Sequence, residues 1–157
     1  MNNFFLSKNT FKNIAWLLVG AMFFIGDRLL KNLALNIGAE QYYNILDPWL
    51  KFRLAFNPYI AFSLPIGGQA LNIIITTIIA ALVFIIFYLI FNKNKQNGLI
   101  IPLTFILFGS ISNLLDRYLY GAVVDYFDFR YFTIFNLADI IISIGAVSAL
   151  IVAVKKK

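Results

Sequence analysis

Three aspartates lie in a short, very apolar stretch near the end of the sequence. Asp125 and Asp128 stand in VVDYFDF, and Asp139 ends the motif FNLAD directly before a long apolar run. A charged side chain inside a membrane costs about 2.5 kcal/mol or more and usually marks function. Two neighbouring carboxylates can share one proton, so that one accepts a proton from water while the other protonates a scissile carbonyl. This stretch therefore predicts acid–base chemistry by aspartates.

The rest of the composition excludes most other catalytic groups. The 157 residues contain no cysteine and no histidine, which excludes disulfides, thiol catalysis, Ser-His nucleophiles and the usual zinc or iron sites. Ser110 in FGS lacks the histidine of an intramembrane serine protease, and Asp27 in FIGD matches the glycine–aspartate motif of presenilin-type proteases only loosely. An aspartyl pair, which needs no metal and no cofactor, is the simplest remaining choice.

Hydropathy places these acids among membrane-spanning helices. The chain is 61% hydrophobic and 13% charged, whereas soluble domains carry about 25% charged residues. Crossing a bilayer core of about 30 Å as a helix takes about 20 apolar residues. Four runs qualify, and we predict crossings at roughly 13–35, 70–91, 98–116 and 137–154. The predicted fold class is an all-α integral membrane protein with four transmembrane helices, forming a single domain over residues 1–157.

The lysines predict the orientation of this bundle. Four crossings place seven of them on one side of the membrane, namely Lys8, Lys12, Lys93, Lys95 and Lys155–Lys157. The excess of cations marks that side as cytoplasmic, so both termini are expected inside. Residues 37–68 and 117–136 then form outer segments. Because the net charge of +6 is explained by these membrane boundaries, we expect no nucleic-acid partner.

The outer segments predict a small sheet on the membrane surface. LKFRLAFN, residues 50–57, alternates apolar and polar side chains as a half-buried strand does. RYFTIF, residues 130–135, is a candidate partner strand because it is rich in aromatic and β-branched residues. VVDYFDF also favours an extended path, on which Asp125 and Asp128 point to opposite faces.

Helix geometry places two acids at a similar depth. At a rise of about 1.5 Å per residue, Asp27 lies about 22 Å above Lys12 and Asp139 about 24 Å above Lys155. Both acids therefore fall in the outer part of the membrane core. Asn136 and Asp139, three residues apart, share a helix face, and Asp139 has no cation within one helical turn. A lone acid at this depth favours a functional role.

Two further polar groups have structural as well as functional interpretations. Asp27 and Lys31, four residues apart, form either an ion pair that anchors a helix or a part of the site. The motif NLLDR places Asn113, Asp116 and Arg117 within one helical turn. For Asp116 the favoured role is structural, as a polar clamp on a neighbouring loop.

The order of five motifs resembles a known family. DRLLK, NPYIAFS, SNLLDR, GAVVDYFDF and FNLADIIIS follow one another from Asp27 to Ser143. This order is similar to that of the lipoprotein signal peptidases, the type II signal peptidases of bacteria. The resemblance implies four transmembrane helices with a small extracytoplasmic β-cradle, and no cofactor or metal. It also implies an aspartic endopeptidase that removes the signal peptide of a prolipoprotein just before a diacylglyceryl-modified cysteine.

The resemblance also assigns roles by position. It implies that Asp125 and Asp139 are the catalytic pair. Asp128, followed by Arg130, is then expected to be a surface acid with a neighbouring cation. The residues that it implies to line or brace the site are Asp27, Lys31, Asn57, Asn113, Asp116, Arg117 and Asn136.

The chain departs from the family pattern at a few positions. Ala61 and Phe62 match the end of the family's asparagine motif, but Tyr59 and Ile60 stand where glycine and alanine are common. Ser112 stands where glycine usually precedes the asparagine, and the segment between the catalytic aspartates is short. These departures concern the shape of the substrate groove more than the chemistry.

The resemblance further implies partners and a location. We expect lipid-modified prolipoprotein substrates, contact with membrane lipid, and a monomer in the bacterial cytoplasmic (inner) membrane with its active site near the outer face. Two alternatives from other classes are a proton- or ion-coupled small transporter, whose acids would be staggered across the bilayer, and a non-catalytic membrane scaffold. The similar depth of the acids favours the peptidase.

Overall fold

Four long helices dominate the structure, a computed structural model that describes residues 8–60, 64–91 and 98–155. They are α1 (Lys8–Ile37), α2 (Gly68–Phe91), α3 (Ile100–Tyr120) and α4 (Leu137–Val154). All four are long and apolar enough to cross a membrane, which confirms the predicted fold class. Seven residues used above for a motif or for the topology lie outside the described ranges: Ala61, Phe62, Ser63, Lys93, Lys95, Lys156 and Lys157.

Within the described residues, six strands lie at one end of the helices. They are β1 (Tyr42–Leu46), β2 (Leu50–Asn57), β3 (Tyr59–Ile60), β4 (Leu64–Gly67), β5 (Val123–Phe129) and β6 (Ile134–Phe135). An antiparallel sheet has the order β1-β2-β5-β6, and β3 pairs with β4 separately. The predicted strand over residues 50–57 is confirmed.

The predicted partner of that strand is wrong in part. β2 pairs with β5, whose Asp125 lies opposite Ala55, and residues 130–135 contribute only the two-residue edge strand β6. The physical reason is a turn that begins at Arg130, in which Tyr131 adopts a left-handed φ of 67°. An L-residue with positive φ cannot continue a strand, so the extended path ends at Phe129.

The sheet is attached to the end of α1 by a buried apolar cluster. Side chains alternate along a strand, so Val124 and Tyr126 share one face of β5 and Asp125 points to the other. Burying an aliphatic or aromatic side chain contributes about 1.5–3 kcal/mol. The cluster thus fixes β5 and, with it, Asp125. Its buried members are Ala34, Phe52, Leu54, Val124 and Tyr126.

Two glycines allow α3 and α4 to pack closely. A Cβ atom at Gly109 would lie 2.7 Å from the carbonyl oxygen of Ala138, and one at Gly145 would lie 2.7 Å from that of Pro102. Small residues at helix contacts let backbones approach inside a membrane. This close packing brings the polar end of α3 against the first turn of α4.

Candidate active site

Two amide side chains connect Asp125 on β5 with Asp139 in the first turn of α4. Asn136 Nδ2 donates to Asp125 Oδ1 at 2.6 Å, and Asn113 Nδ2 donates to Asp139 Oδ1 at 2.8 Å. Asn136 Nδ2 also donates to Asn113 Oδ1 at 3.2 Å. The two predicted catalytic acids are therefore brought into one hydrogen-bond network from separate elements.

A capping box fixes the position of Asp139. The backbone N–H of Asp139 donates to Asn136 Oδ1 at 2.8 Å, and the backbone N–H of Asn136 donates to Asp139 Oδ2 at 3.3 Å. Asparagine is a favoured N-cap residue, and an acceptor three residues later completes the reciprocal pair. The sequence FNLAD thus starts a helix and orients its own acid.

The backbone N–H groups of the first two residues of α4 donate hydrogen bonds to side chains of other elements. Leu137 N–H donates to the hydroxyl of Tyr126 at 2.9 Å, and Ala138 N–H donates to Asp27 Oδ1 at 3.2 Å. Tyr126 in turn donates to Asp27 Oδ1 at 2.8 Å. The first amides of a helix have no partners within the helix, and its N-terminus favours a negative charge. Asp27 therefore braces the helix that carries Asp139, and the contact confirms that these two acids lie at one level.

A buried ion cluster between α1 and α3 supports this arrangement. Lys31 Nζ lies 2.8 Å from Asp27 Oδ2 and 2.7 Å from Asp116 Oδ2, and all three side chains are fully buried. Lys31 also donates to Asn113 Oδ1 at 2.9 Å. The pair at Asp27 is thus a buried brace of the network rather than an interfacial anchor.

Asp116 clamps the start of β5, a strand, where the sequence predicted a structural clamp on a loop. Its Oδ2 accepts the backbone N–H of Val124, next to Asp125, at 3.1 Å, and it also pairs with Arg28 and Lys31. Arg117, the neighbouring cation in sequence, is not among its ion-pair partners. Adjacent residues on a helix do not face each other, which explains why a cation from α1 takes that place.

Arg117 instead reaches toward the two-stranded sheet. Its Nη2 donates to the carbonyl oxygen of Tyr59 at 2.6 Å, and its Nη1 donates to that of Asn113 at 3.5 Å. The Nε of Arg117 is buried with no hydrogen-bond partner among the described residues. Asn57 accepts the backbone N–H of Tyr59 at 3.1 Å, so both side chains fix the same short strand.

Asp128 points away from the network, but its partner differs from the prediction. Arg53 Nε donates to Asp128 Oδ2 at 2.6 Å, and both side chains are part-exposed. The antiparallel register of β2 and β5 brings Arg53 within reach. Arg130 lies over the ring of Tyr131 instead. Asp128 is a surface acid as expected, with a cross-strand cation rather than the one that follows it in sequence.

A cavity of about 510 Å³ opens beside the network. Asn57, Tyr59, Asn113, Arg117 and Asp139 line its polar part, whereas Asp125 is 2% exposed and lies behind them. Ligand cavities commonly enclose about 300–1,000 Å³. The rest of the wall is mainly apolar and includes Ile75, Ile134, Phe135, Ile140, Ile142 and Ile144.

Burial and charge both act on the Asp125 carboxyl. Burial raises the pKa of Asp125 to about 7, and the negative charge of Asp139 acts in the same direction. The hydrogen bonds from Asn57 and Asn136 and the positive charge of Lys31 oppose this shift. The Asp125 carboxyl can therefore lose its proton near neutral pH.

Three residues of the network were not predicted from the sequence. Tyr126 and Arg28 are described above, and Ser112 Oγ donates to Asp27 Oδ2 at 2.6 Å. Ser112 was noted only as a departure from the family pattern. One signal in the sequence could have identified Tyr126. It lies two residues after Val124, on the same face of the strand, so its hydroxyl would be buried and would need a hydrogen-bond partner.

Replacing Tyr126 by phenylalanine is expected to destabilise the protein by about 1–3 kcal/mol, because it removes the hydroxyl that donates to the buried carboxylate of Asp27 and accepts the N–H of Leu137. The measurement is thermal unfolding in detergent. The matched control is Tyr131→Phe, at a residue that is 81% exposed. Equal unfolding midpoints for the two variants would contradict this role of Tyr126.

Comparison with known proteins supports the predicted family. A model of the signal peptidase (SPase) II family matches residues 19–155. The lipoprotein signal peptidase of Chlorobium phaeobacteroides (strain BS1) is 34% identical over 82% of this chain and 89% of its own length. That of Paraburkholderia phymatum is 33% identical over 83% of this chain and 82% of its own length.

Two solved structures share the fold. Both are described as bacterial membrane enzymes studied by the in meso method, at 2.3 Å and 1.9 Å resolution. The first has a TM-score of 0.79 at 24% identity and covers 90% of this chain and 88% of its own. The second has a TM-score of 0.73 at 21% identity, with coverages of 91% and 94%.

These matches favour the peptidase over a transporter or a scaffold. The family match covers α1 from residue 19 onward, the other three helices and both segments that carry the paired acids. Together with the four apolar helices, it makes the protein a multi-pass membrane protein. The chain belongs to the signal peptidase II family.

Proposed function

We propose that the protein is an aspartic endopeptidase that cleaves the signal peptide from diacylglyceryl-modified prolipoproteins, just before the lipidated cysteine. Asp125 and Asp139 are its proposed catalytic pair. The observation that carries the proposal is the joining of these two carboxylates through Asn113 and Asn136, beside a largely apolar cavity, in a chain of the signal peptidase II family.

The proposed mechanism uses the one proton that two close carboxylates share. Water adds to the scissile carbonyl carbon and gives a proton to the ionised carboxylate, while the other carboxyl protonates the carbonyl oxygen. When the tetrahedral intermediate collapses, the C–N bond breaks and a proton passes to the leaving amine of the cysteine. Asn113 and Asn136 hold the two carboxylates in position through the bonds described above.

The apolar wall of the cavity suits the acyl chains of this substrate. Its isoleucines come from α2 and α4, with Ile134 from β6, and no described residue in that part of the wall is charged. A lipid anchored there would present the adjoining peptide bond to the polar part of the cavity. Arg117, which lines the polar part of the cavity, is expected to contact the substrate backbone rather than to transfer protons.

The identity of the membrane and the orientation of the protein in it are also part of the proposal. We infer a bacterial cytoplasmic membrane, with both termini in the cytoplasm and the sheet at the outer face, because Lys8, Lys12 and Lys155 lie at the helix ends opposite the sheet. We also predict that the enzyme is a monomer, that residues 1–157 form a single domain, and that this domain contacts membrane lipid.

Purified protein is expected to cut a synthetic prolipoprotein peptide that carries diacylglyceryl on its cysteine. Mass spectrometry should identify a single cut directly before that cysteine. The matched control is the same peptide without the lipid, which should be cut far more slowly because the apolar wall then has no ligand. Absence of any cut, or a cut at another bond, would contradict the proposed function.

Cleavage is expected to decline as the pH rises through about 7. Since burial raises the pKa of Asp125 to about 7, the pair keeps its shared proton below that pH and loses it above. An aspartate at its ordinary pKa of about 3.9 would lose the proton far earlier. The measurement is kcat/KM against pH with the lipidated peptide. Asp128→Asn should leave the pH at which kcat/KM declines unchanged. A limb near pH 4 would contradict a shared proton held by Asp125.

A further inference from the structure

Two serine hydroxyls line the cavity one helical turn away from the polar network. Ser110 precedes Asn113 by three residues on α3, and Ser143 follows Asp139 by four residues on α4. With a rise of about 1.5 Å per residue, they lie about 4.5 Å and 6 Å farther from the sheet than those two residues. Both helices therefore present a hydroxyl at the junction of the polar and apolar parts of the cavity.

These hydroxyls are free to bind a ligand. Within residues 8–60, 64–91 and 98–155, neither Ser110 nor Ser143 makes a hydrogen bond, although both line the cavity. A hydroxyl in a helix commonly bonds the carbonyl four residues earlier. Thr76 and Thr77 of α2 do so, with distances of 2.7 Å and 2.9 Å to the carbonyls of Asn72 and Ile73. In an apolar wall, an unbonded hydroxyl gains from any acceptor that enters.

We propose that Ser110 and Ser143 donate hydrogen bonds to the ester carbonyls of the substrate's diacylglyceryl group. This inference rests on the proposed function. It adds that the enzyme recognises the ester linkages of the lipid as well as its acyl chains. A diacylglyceryl group has one ester carbonyl on each acyl chain, a few bonds from the cysteine sulfur. When the peptide bond lies at Asp139 and the chains lie along the isoleucines, these carbonyls fall between the two, at the level of the serines.

The test compares two lipidated peptides that differ only in the linkage. One carries diacylglyceryl, and the other carries a dialkylglyceryl group whose ether linkages have no carbonyl oxygen. The assay uses a maltoside detergent, so that the substrate is the only ester present. The wild-type protein should cleave the ester form with a higher kcat/KM, by about fivefold for each hydroxyl, which corresponds to a typical net hydrogen bond.

Replacing both serines by alanine should remove this preference. In the Ser110→Ala/Ser143→Ala variant the ratio of ester to ether kcat/KM should fall to near one, mainly through a higher KM for the ester, because these contacts are made before and during the reaction alike. A general defect in folding would lower the apparent kcat/KM for both peptides by the same factor and leave their ratio unchanged. The ratio therefore separates recognition from stability.

The matched control is Ser148→Ala. Ser148 lies on α4, as Ser143 does, but outside the cavity wall. It should keep the wild-type ester-to-ether ratio. A wild-type ratio of one, or a ratio that survives the double substitution, would overturn the inference while the proposed function stands. Failure to cleave either peptide would instead overturn the proposed function, and with it this inference.

Discussion

Asp125→Asn is expected to lower cleavage by at least about a hundredfold, because an asparagine can neither accept the proton of water nor share a proton with Asp139. Asp139→Asn should have the same effect. Both carboxylates accept hydrogen bonds from amide side chains, and an asparagine is close to isosteric, so the variants should still insert and fold. The measurement is kcat with the lipidated peptide, alongside thermal unfolding in detergent.

Asp128→Asn is the matched control, since it lies three residues from Asp125 on the same strand. It breaks only the part-exposed pair with Arg53, and exposed pairs are worth at most about 1 kcal/mol. We therefore expect it to retain most of the wild-type activity. An inactive Asp128→Asn beside an active Asp125→Asn would show that the catalytic pair is wrongly assigned, although the family would stand.

Lys31→Met is expected to give the largest loss of stability among single substitutions in the network. It would leave Asp27 and Asp116 buried without their shared cation, and breaking a buried pair in this way costs about 3–5 kcal/mol. Folding should therefore suffer more than the chemical step in whatever protein remains folded. The measurement is the unfolding midpoint in detergent, with kcat determined on the folded fraction.

Arg53→Met provides the comparison, because it removes a cation whose side chain is 39% exposed. Its effect should stay at or below about 1 kcal/mol. Adding Asp27→Asn to Lys31→Met should recover part of the loss, since Lys31 is the only ion-pair partner of Asp27 among the described residues, whereas Asp116 keeps Arg28. If Lys31→Met unfolded like Arg53→Met but had a large defect in kcat, Lys31 would act in the chemistry rather than as a brace.

Local patterns in the sequence were enough to predict the helices, the strand β2 and the extended path of β5. Continuous apolar runs identify the crossings, and alternation over residues 50–57 identifies β2. Counting residues along two helices also placed Asp27 and Asp139 at one level, which the contact from Ala138 N–H to Asp27 confirms. Each of these predictions depends only on the geometry of one element at a time.

The errors concern contacts between elements. The cation beside Asp128 comes from β2 and a cation of Asp116 comes from α1, because strand register and helix packing decide which side chains meet. For Asp128, adjacency in sequence favoured Arg130 instead. Tyr126 was missed for a similar reason, since its hydroxyl acts on the first turn of a helix that lies eleven residues later.

The capping of α4 also bears on the order in which the protein is assembled. Asp27 on α1 and Tyr126 on β5 are synthesised before α4, so the acceptors for its first amides are already made when this helix enters the membrane. Until it docks, Asp125 has neither Asn136 nor Asp139 beside it. A nascent chain therefore holds only one of the two proposed catalytic acids, and the capacity to cut arises in a single late step rather than growing gradually during synthesis.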